Sequence, residues 1–285
     1  MRTVLCCLML FAGAMCDAAA VTARLLVPAY ANPCCANGPG MWSGIIALAA
    51  AQPQELGVIF NPASGPGSGP VDPNYLNDAG QGPLSDLLAT GAPVYGYVAT
   101  TYGAKTLVAA QAQIAEYYSS SYWRGNTIHL SGIFFDEMSN DLANVAYYRS
   151  LRDAVRQLDA NAYIIGNPGV GATVNPSGQV TYSDADYGTV FNALLVYENY
   201  ESLFPTGYTV PTWANANGAA QLAMFVHTTP TEVRMRVAMS RALSRGAAWL
   251  YITDTALPNP YDILPVFWTS EFTLLPELIF VDEFE

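Results

Sequence analysis

The chain has 285 residues, of which 52% are hydrophobic and 12% are charged. This composition is typical of a folded globular protein and excludes a disordered chain, which would combine low hydrophobicity with high charge. Lys and Arg number 11 against 23 Asp and Glu, which gives a formal net charge of −12. Phosphate binding needs clustered positive charge, so we expect no nucleic-acid partner.

The N-terminus has the pattern of an export signal. A short basic start precedes an apolar run from Val4 to Met15. This run is shorter than the roughly 20 residues that cross a bilayer, but it suits the core of a signal peptide. With cleavage after Ala20, we expect a signal peptide over residues 1–20 and a catalytic domain over residues 21–278. An acidic C-terminal tail over residues 279–285 follows. We expect the protein to be exported, as a secreted or periplasmic protein, and not to associate with membranes after cleavage.

Cleavage at that position removes three of the 5 cysteines and leaves the adjacent pair Cys34 and Cys35. Neighbouring Cα atoms are about 3.8 Å apart, which is below the usual disulfide range of roughly 4.4–6.8 Å, so a bond within this pair would be strained. A vicinal bridge, two buried thiols and pairing between chains all remain open. With 2 His and no Cys-x-x-Cys spacing, we expect no metal site and no cofactor.

Strand-like and helical patterns alternate along the chain. Apolar, β-branched and aromatic runs predict strands over Arg24–Tyr30, Leu56–Asn61, Pro93–Ala99, Leu130–Asp136, Tyr163–Asn167, Phe191–Glu198, Leu222–His227 and Ala248–Thr253. Between and after them, helices are predicted near Met41–Ala51, Pro73–Ala89, Ala104–Tyr118, Asn140–Leu158, Thr231–Ser244 and Tyr261–Leu275.

Eight strands in a β-then-α rhythm indicate parallel pairing, because parallel neighbours need a crossover connection. We therefore predict an α/β fold with a single (β/α)8 TIM barrel, whose usual length is roughly 250 residues. A doubly wound open sheet is the alternative. It is disfavoured as a dinucleotide-binding fold because Gly-x-Gly-x-x-Gly does not follow the first strand.

Polar or aromatic residues close nearly all of the predicted strands. In a barrel the C-terminal strand ends share one rim, so residues that are distant in sequence converge there. The closing residues are Tyr30, Asn61, Tyr97, Asp136 with Glu137, Asn167, Glu198, His227 and Asp254. This convergence favours an enzyme.

Three carboxylates are the strongest candidates for catalysis. Asp136 and Glu137 directly follow three large apolar residues, and strand alternation places Asp136 at the barrel mouth and Glu137 at the start of the loop. Glu198 ends another apolar run two strands further round. Hydrolysis of a glycosidic bond needs two carboxyl groups with separated pKa values. The sequence leaves open whether their spacing is the retaining or the inverting one.

Aromatic and polar residues near the same strand ends suggest a sugar ligand. Rings near the predicted strand ends can stack on pyranose faces, and they belong to Tyr30, Trp42, Tyr95, Tyr97, Tyr102 and Tyr200. Asn61 either holds a substrate hydroxyl or caps its turn, and Asp254 supports the site or anchors a loop. Asn167 and His227 are assigned to substrate binding, whereas His129 precedes a strand on the opposite face and is interpreted as structural. A Ser-His-Asp hydrolase is disfavoured because no Gly-x-Ser-x-Gly elbow occurs.

Together these segments resemble the spherulation-specific family 4 (spherulin-4-like) proteins, whose characterised members belong to glycoside hydrolase family 135. The resemblance covers nearly the whole mature chain. It rests on Val27-Pro28-Ala29-Tyr30, on Asn61 to Gly67, on Gly96 to Gly103, on Gly132 to Glu137, on Glu198, on His227, on Tyr251 to Asp254 and on Asn259-Pro260-Tyr261-Asp262.

The resemblance implies an endo-acting α-1,4-N-acetylgalactosaminidase that cuts galactosamine-containing exopolysaccharides such as biofilm matrix. The acidic triad of the family then corresponds to Asp136, Glu137 and Glu198. We expect Asp136 to be the nucleophile or charge stabiliser, Glu198 the general acid/base, and Glu137 a supporting residue. A monomer is expected, with a polysaccharide as its partner. The charge of −12 would favour a cationic, deacetylated galactosamine polymer.

Two alternatives stay open at this point. One is a β-hexosaminide hydrolase in which the 2-acetamido group of the substrate assists. The other is a non-catalytic barrel that binds polysaccharide or builds a coat, since a fold does not imply an activity.

Overall fold

The computed structural model describes residues 23–68, 71–118, 123, 128–169, 187–206, 208, 210, 214 and 220–279. The expected signal peptide lies outside the described residues. So does the expected tail, except for Ile279, which ends the last helix.

Eight parallel strands form a closed barrel in sequence order, in which each strand pairs with the next and the last pairs with the first. They are β1 Arg24–Ala29, β2 Leu56–Phe60, β3 Val94–Ala99, β4 Gly132–Asp136, β5 Tyr163–Gly166, β6 Ala193–Tyr200, β7 Gln221–His227 and β8 Ala247–Ile252. The predicted TIM barrel is confirmed, and every predicted strand matches an observed one within two residues at each end.

Six α-helices of the described residues flank the barrel: α1 Gly38–Ala51, α2 Pro83–Ala89, α3 Leu107–Tyr118, α4 Val145–Leu158, α5 Glu232–Ser244 and α6 Trp268–Ile279. Among the described residues, no helix has the length and apolar character needed to cross a membrane.

The helix predicted over Pro73–Ala89 is wrong in its first half, since α2 begins at Pro83. Local side-chain bonds hold the preceding segment in turns: Asp72 Oδ1 accepts from the Asn74 backbone, and Asn77 Oδ1 accepts from the backbones of Ala79 and Gln81. Such bonds compete with helical backbone bonds. The turns therefore displace the helix start to the proline.

The helix predicted over Tyr261–Leu275 also begins too early, because α6 begins at Trp268. The segment before it is a loop that follows β8. Asn259 Oδ1 accepts from the Tyr261 backbone, and Asp254 Oδ1 accepts from the Val266 backbone. This loop places Tyr261 at the mouth of the barrel instead of on a helix.

Aromatic packing fills the N-terminal end of the barrel. Trp249 Nε1 donates to the Tyr163 hydroxyl at 3.0 Å, the Tyr95 ring packs edge-on against Trp249, and the Arg24 guanidinium lies 3.9 Å from the centre of the Trp249 ring. Tyr95 is therefore part of the core and not of the mouth, contrary to the sequence-based expectation. Trp42 is also buried, with Nε1 donating to the Ala31 carbonyl.

The adjacent cysteines are bonded to each other. The Cys34–Cys35 disulfide lies exposed in the loop between β1 and α1. The Cys34 backbone donates to Asn32 Oδ1, and Asn32 Nδ2 donates to Asp72 Oδ2 at 2.7 Å. Of the three states that the sequence leaves open, the vicinal bridge is the observed one.

A buried carboxyl group supports the strand at which the barrel closes. The start of β1 pairs with the middle of β8, through Arg24 opposite Trp249 and Leu25 opposite Leu250. Further along, the Ile252 backbone N–H donates to Glu271 Oε1 at 2.8 Å. Glu271 is fully buried, and this burial raises the pKa of its carboxyl well above the ordinary value. The neutral acid thus accepts the hydrogen bond of the Ile252 N–H at the end of β8, where β1 does not pair with this strand.

We predict that Glu271→Gln stabilises the fold at pH 7. In the unfolded chain Glu271 ionises above its ordinary pKa of 4.5, whereas in the folded chain it stays neutral. Its contribution to stability is therefore complete below pH 4.5 and is lost as the pH rises toward the folded pKa. Glutamine keeps the acceptor and cannot ionise. Urea unfolding should give a free-energy advantage for the variant that is larger at pH 7 than at pH 4.

The matched variant Glu271→Leu removes the acceptor and leaves the Ile252 N–H unpaired. It should cost about 1–3 kcal/mol. An equal dependence of stability on pH in the wild type and in Glu271→Gln would contradict the assignment of a neutral buried acid.

Candidate active site

One amide group joins two carboxylates at the mouth of the barrel. Asn167 follows β5, which lies between β4 and β6. Its Nδ2 donates to Asp136 Oδ1 at 2.7 Å and to Glu198 Oε2 at 2.8 Å. The sum of these two distances limits the separation of the two carboxylate oxygens to 5.5 Å. The two acids thus form a close pair.

Each acid of the pair also accepts a bond from a phenol. The Tyr97 hydroxyl donates to Asp136 Oδ2 at 2.6 Å, and the Tyr261 hydroxyl donates to Glu198 Oε1 at 2.6 Å. The Tyr30 ring packs edge-on against both phenols, with centroid distances of 5.6 and 5.7 Å. All four carboxylate oxygens are therefore held by side-chain donors around one aromatic ring.

Burial acts on both acids of the pair. It raises the pKa of Asp136, while hydrogen bonds from Tyr97, the Glu137 backbone and Asn167 lower it. Burial also raises the pKa of Glu198, and the charge of Asp136 raises it further, against the bonds from Tyr261 and Asn167. Two carboxylates this close disfavour double ionisation. The pair therefore favours the state in which one acid is ionised and the other is protonated.

Backbone bonds fix the strand end that carries Asp136. The Asn167 backbone donates to the Phe135 carbonyl at 2.8 Å, and the Met138 backbone donates to the Asn167 carbonyl at 3.0 Å. On the other side, the Thr100 backbone donates to the Asp136 carbonyl at 2.9 Å. The carboxylate of Asp136 is thus positioned from β3 and from β5.

Glu137 starts the loop after β4, as the sequence predicts. Its φ of 50° is in the left-handed region, which is uncommon outside glycine. The Tyr102 backbone and the Thr100 hydroxyl bind its carbonyl oxygen and hold this conformation. Burial raises the pKa of Tyr97, and the charges of Asp136, Glu137 and Glu198 all raise it further. The negative charges of the three predicted acids therefore all raise the pKa of the same phenol, that of Tyr97.

A cavity of about 370 Å³ opens beside Glu198. Asp136 is not among its lining residues, so the cavity lies on the Glu198 side of the pair. His227 is in its wall, only 5% exposed, with the Tyr200 ring packed edge-on at 4.6 Å. The lining residues are Tyr30, Glu198, Asn199, Tyr200, His227, Leu257, Pro258, Asn259, Pro260 and Tyr261.

Three predicted site residues lie away from the carboxylate pair. Asn61 Oδ1 accepts from the Gly65 backbone, which is the turn-capping arrangement. Tyr102 is 69% exposed on the rim and contacts the site through its backbone. Asp254 anchors the loop that carries Tyr261. The structure gathers the other predicted residues, Tyr30, Tyr97, Asp136, Glu137, Asn167, Glu198 and His227, at the mouth.

Tyr261 is the residue of the site that sequence reasoning does not assign. It belongs to the segment Asn259-Pro260-Tyr261-Asp262, but its prediction as the start of a helix concealed its role. Pro265, which lies inside the predicted helix, is the available signal, because a proline in a helix interior removes a backbone hydrogen bond.

The described residues contain no group of three or more His, Cys, Asp or Glu side chains placed to hold a metal ion.

The sequence profile of spherulation-specific family 4 matches residues 24–275. The chain thus belongs to this family, which confirms the family predicted from the motifs. Spherulin-4 of Physarum polycephalum is 29% identical over 185 residues, which is 65% of this chain and 47% of that protein. The chain therefore spans about half the length of this curated relative.

Solved structures agree with the fold. The crystal structure of Aspergillus clavatus Sph3 in complex with GalNAc is similar with a TM-score of 0.70 and 23% identity, over 89% of this chain and 97% of that one. A chitinase from Rhizomucor miehei gives a TM-score of 0.52 and 10% identity, over 90% of this chain and 99% of that one. At these identities the similarity establishes the barrel alone.

We predict that Tyr261→Phe raises the pKa of Glu198. The phenol stabilises the ionised carboxylate, and phenylalanine keeps the ring but cannot donate. Titration of the side-chain carboxyl carbons by ¹³C NMR would measure the shift. Tyr147→Phe is the matched control, since the Tyr147 hydroxyl is buried without a hydrogen-bond partner. An unchanged Glu198 titration in Tyr261→Phe would show that this bond is absent in solution.

Proposed function

We propose that the protein is a secreted endo-acting glycoside hydrolase that cleaves α-1,4-linked N-acetylgalactosamine or galactosamine polymers. The observation that carries this proposal is the buried pair of Asp136 and Glu198 bridged by Asn167. Membership of spherulation-specific family 4 supports it, as does the GalNAc complex of the similar barrel protein Sph3. Export is supported by the N-terminal sequence pattern.

In the proposed mechanism Glu198 holds the single proton of the pair. It donates this proton to the glycosidic oxygen, while ionised Asp136 attacks the anomeric carbon from the other side. The C–O bond to the leaving sugar breaks, and a glycosyl ester forms on Asp136. Glu198, now ionised, removes a proton from water, which attacks the anomeric carbon and releases Asp136. Glu137 supports the pair through its charge near Tyr97.

The substrate linkage requires a protein carboxylate or an activated water as the nucleophile. In an α-linked N-acetylgalactosamine the 2-acetamido group is cis to the leaving group, so it cannot attack from behind. Against the raising effect of burial, three hydrogen bonds lower the pKa of Asp136, so they favour the ionised form that this attack needs. The arrangement therefore favours the α-linked substrate over a β-hexosaminide that would assist its own cleavage.

We predict that Glu198→Gln and Asp136→Asn each abolish cleavage while the fold is retained. Loss of a general acid alone typically costs a factor of about 10²–10⁴. Release of oligosaccharides from an α-1,4-galactosaminoglycan, followed by mass spectrometry, would measure it. His129→Gln, at an exposed histidine before β4, is the control that should keep full activity. Binding of polymer without release by the wild type would instead favour a coat protein.

We predict net retention at the anomeric carbon. Retaining glycosidases have carboxyl groups roughly 5–5.5 Å apart, whereas inverting ones leave roughly 6.5–9.5 Å for a water molecule. The bridging amide keeps the facing oxygens of this pair within 5.5 Å. ¹H NMR of the first product during hydrolysis should show the α-anomer before mutarotation. Initial release of the β-anomer would refute the double displacement.

A further inference from the structure

Two buried hydroxyl groups contact the loop that carries Glu137. Tyr148, on α4, is fully buried, and so is Thr100, which follows β3. The Ser139 backbone N–H donates to the Tyr148 hydroxyl at 2.8 Å, and the Tyr148 and Thr100 hydroxyls are 3.0 Å apart. The Thr100 hydroxyl lies 2.8 Å from the Glu137 carbonyl oxygen and 3.0 Å from that of Asp136. Tyr148 and Thr100 thus connect α4 and β3 to the loop, and we name them the hydroxyl relay.

The chemistry of these groups sets the direction of each bond. A carbonyl oxygen can only accept, so the single proton of the Thr100 hydroxyl is donated to the carbonyls of Asp136 and Glu137. The Tyr148 hydroxyl accepts from the Ser139 backbone, which leaves its own proton for Thr100 Oγ1. Each hydroxyl of the relay therefore both accepts and donates, and the bonds run from Ser139 to the two carbonyls.

The relay fixes the backbone turn at Glu137. A φ of 50° is sterically unfavourable for a residue with a side chain and persists only where neighbouring contacts hold it. The relay binds the carbonyls of Asp136 and Glu137 on one side of the turn and the N–H of Ser139 on the other. The left-handed conformation is therefore held from outside the loop.

The same turn determines one of the donors to the Asp136 carboxylate. Burial raises the pKa of Asp136, and the backbone N–H of Glu137 is one of three donors whose bonds lower it. This N–H and the Asp136 carbonyl oxygen belong to one planar peptide group. Because the Thr100 hydroxyl and the Thr100 N–H hold that oxygen, they also fix the direction in which the Glu137 N–H points.

We propose that Tyr148 is a positioning residue for the catalytic acids: through Thr100 it holds the peptide group between Asp136 and Glu137, so that the N–H of this group stays on the Asp136 carboxylate. The hydroxyl of Tyr148 bonds to Thr100 and to the Ser139 backbone, so it acts on the acids through other residues. The inference rests on the proposed function for the effect on cleavage, whereas the effect on the Asp136 carboxyl is independent of it.

Other titratable groups also act on Asp136, and they come from several elements. They are Tyr30, Tyr97, Glu137, Glu198 and Tyr261, while Lys105 faces Glu137. Within the described part of the chain none of them bonds to the Tyr148 hydroxyl. Removal of that hydroxyl therefore reaches Asp136 through the relay.

The first test removes the hydroxyl of Tyr148. Tyr148→Phe keeps the ring that packs against Tyr147 and Tyr187 but cannot donate to Thr100. In ¹³C NMR without substrate, the Asp136 carboxyl should titrate at higher pH than in the wild type, because a bond to its ionised form is weakened. On an α-1,4-galactosaminoglycan, kcat should fall by about tenfold or more and KM should stay within about threefold, since a buried hydroxyl affects alignment and not substrate binding.

The second test asks whether the two hydroxyls act as one unit. Thr100→Val removes the other hydroxyl at nearly constant volume and should also raise the pKa of Asp136 and lower kcat. The double variant Tyr148→Phe/Thr100→Val should lose no more activity than Thr100→Val alone, because residues that act as a unit are not additive. Thr100→Ser retains a hydroxyl and should recover most of the activity that Thr100→Val loses.

Tyr147→Phe is the matched control. It removes the neighbouring hydroxyl, which is buried without a hydrogen-bond partner among the described residues, and should leave both the Asp136 titration and kcat unchanged. If Tyr148→Phe does not fold, the comparison of Thr100→Val with Thr100→Ser decides by the same two measurements.

Each outcome separates the relay from the proposed function. Equal Asp136 titrations in the wild type and in Tyr148→Phe would overturn the proposal, even in a protein that cleaves polymer. Additive losses in the double variant would overturn it as well, since the hydroxyls would then act separately. A raised Asp136 titration in a protein that cleaves no polymer would support the relay and refute the hydrolase.

Discussion

The site depends on the two N–H bonds that a single side-chain amide donates to two acids. Like charges at the separation of Asp136 and Glu198 would repel strongly in a buried setting, and the pair could not keep its geometry with both groups ionised. Asn167 compensates the charge of the ionised acid and fixes the distance to the protonated one. Since its Oδ1 accepts from the Gly169 backbone at 2.7 Å, the amide cannot rotate to present its oxygen to the acids. The direction of these bonds is thus set by the backbone.

The barrel provides this arrangement because β4, β5 and β6 are consecutive neighbours. Each strand ends at the same rim and contributes one member of the bridge. The fourth contributor, Tyr261, comes from the loop after β8. Glu198 is therefore held by a segment that also forms the cavity wall. Asp136 is held from β3, through Tyr97 and Thr100.

The sequence predicts the strands well because apolar runs bounded by turn residues are a local signal, and the rim then follows from the rule that parallel strands share an end. It identifies Asp136, Glu137 and Glu198 for the same reason. The sequence does not reveal hydrogen bonds between side chains that are distant along the chain. Asn167 is assigned to substrate binding from its position alone, yet its amide is occupied by the two acids. Tyr261 falls within a segment whose apolar pattern resembles a helix, and the side-chain bonds of Asn259 and Asp254 hold this segment as a loop.

Charge acts on the proposed substrate at two ranges. The net charge of −12 would attract a cationic polymer over distances up to the Debye length, about 8 Å at physiological ionic strength. At the mouth the charge is smaller than the number of acids implies, because the close pair of Asp136 and Glu198 favours a single ionisation. The long-range attraction is therefore a property of the whole surface, whereas the pair supplies one proton and one negative charge at the position of the proposed reaction.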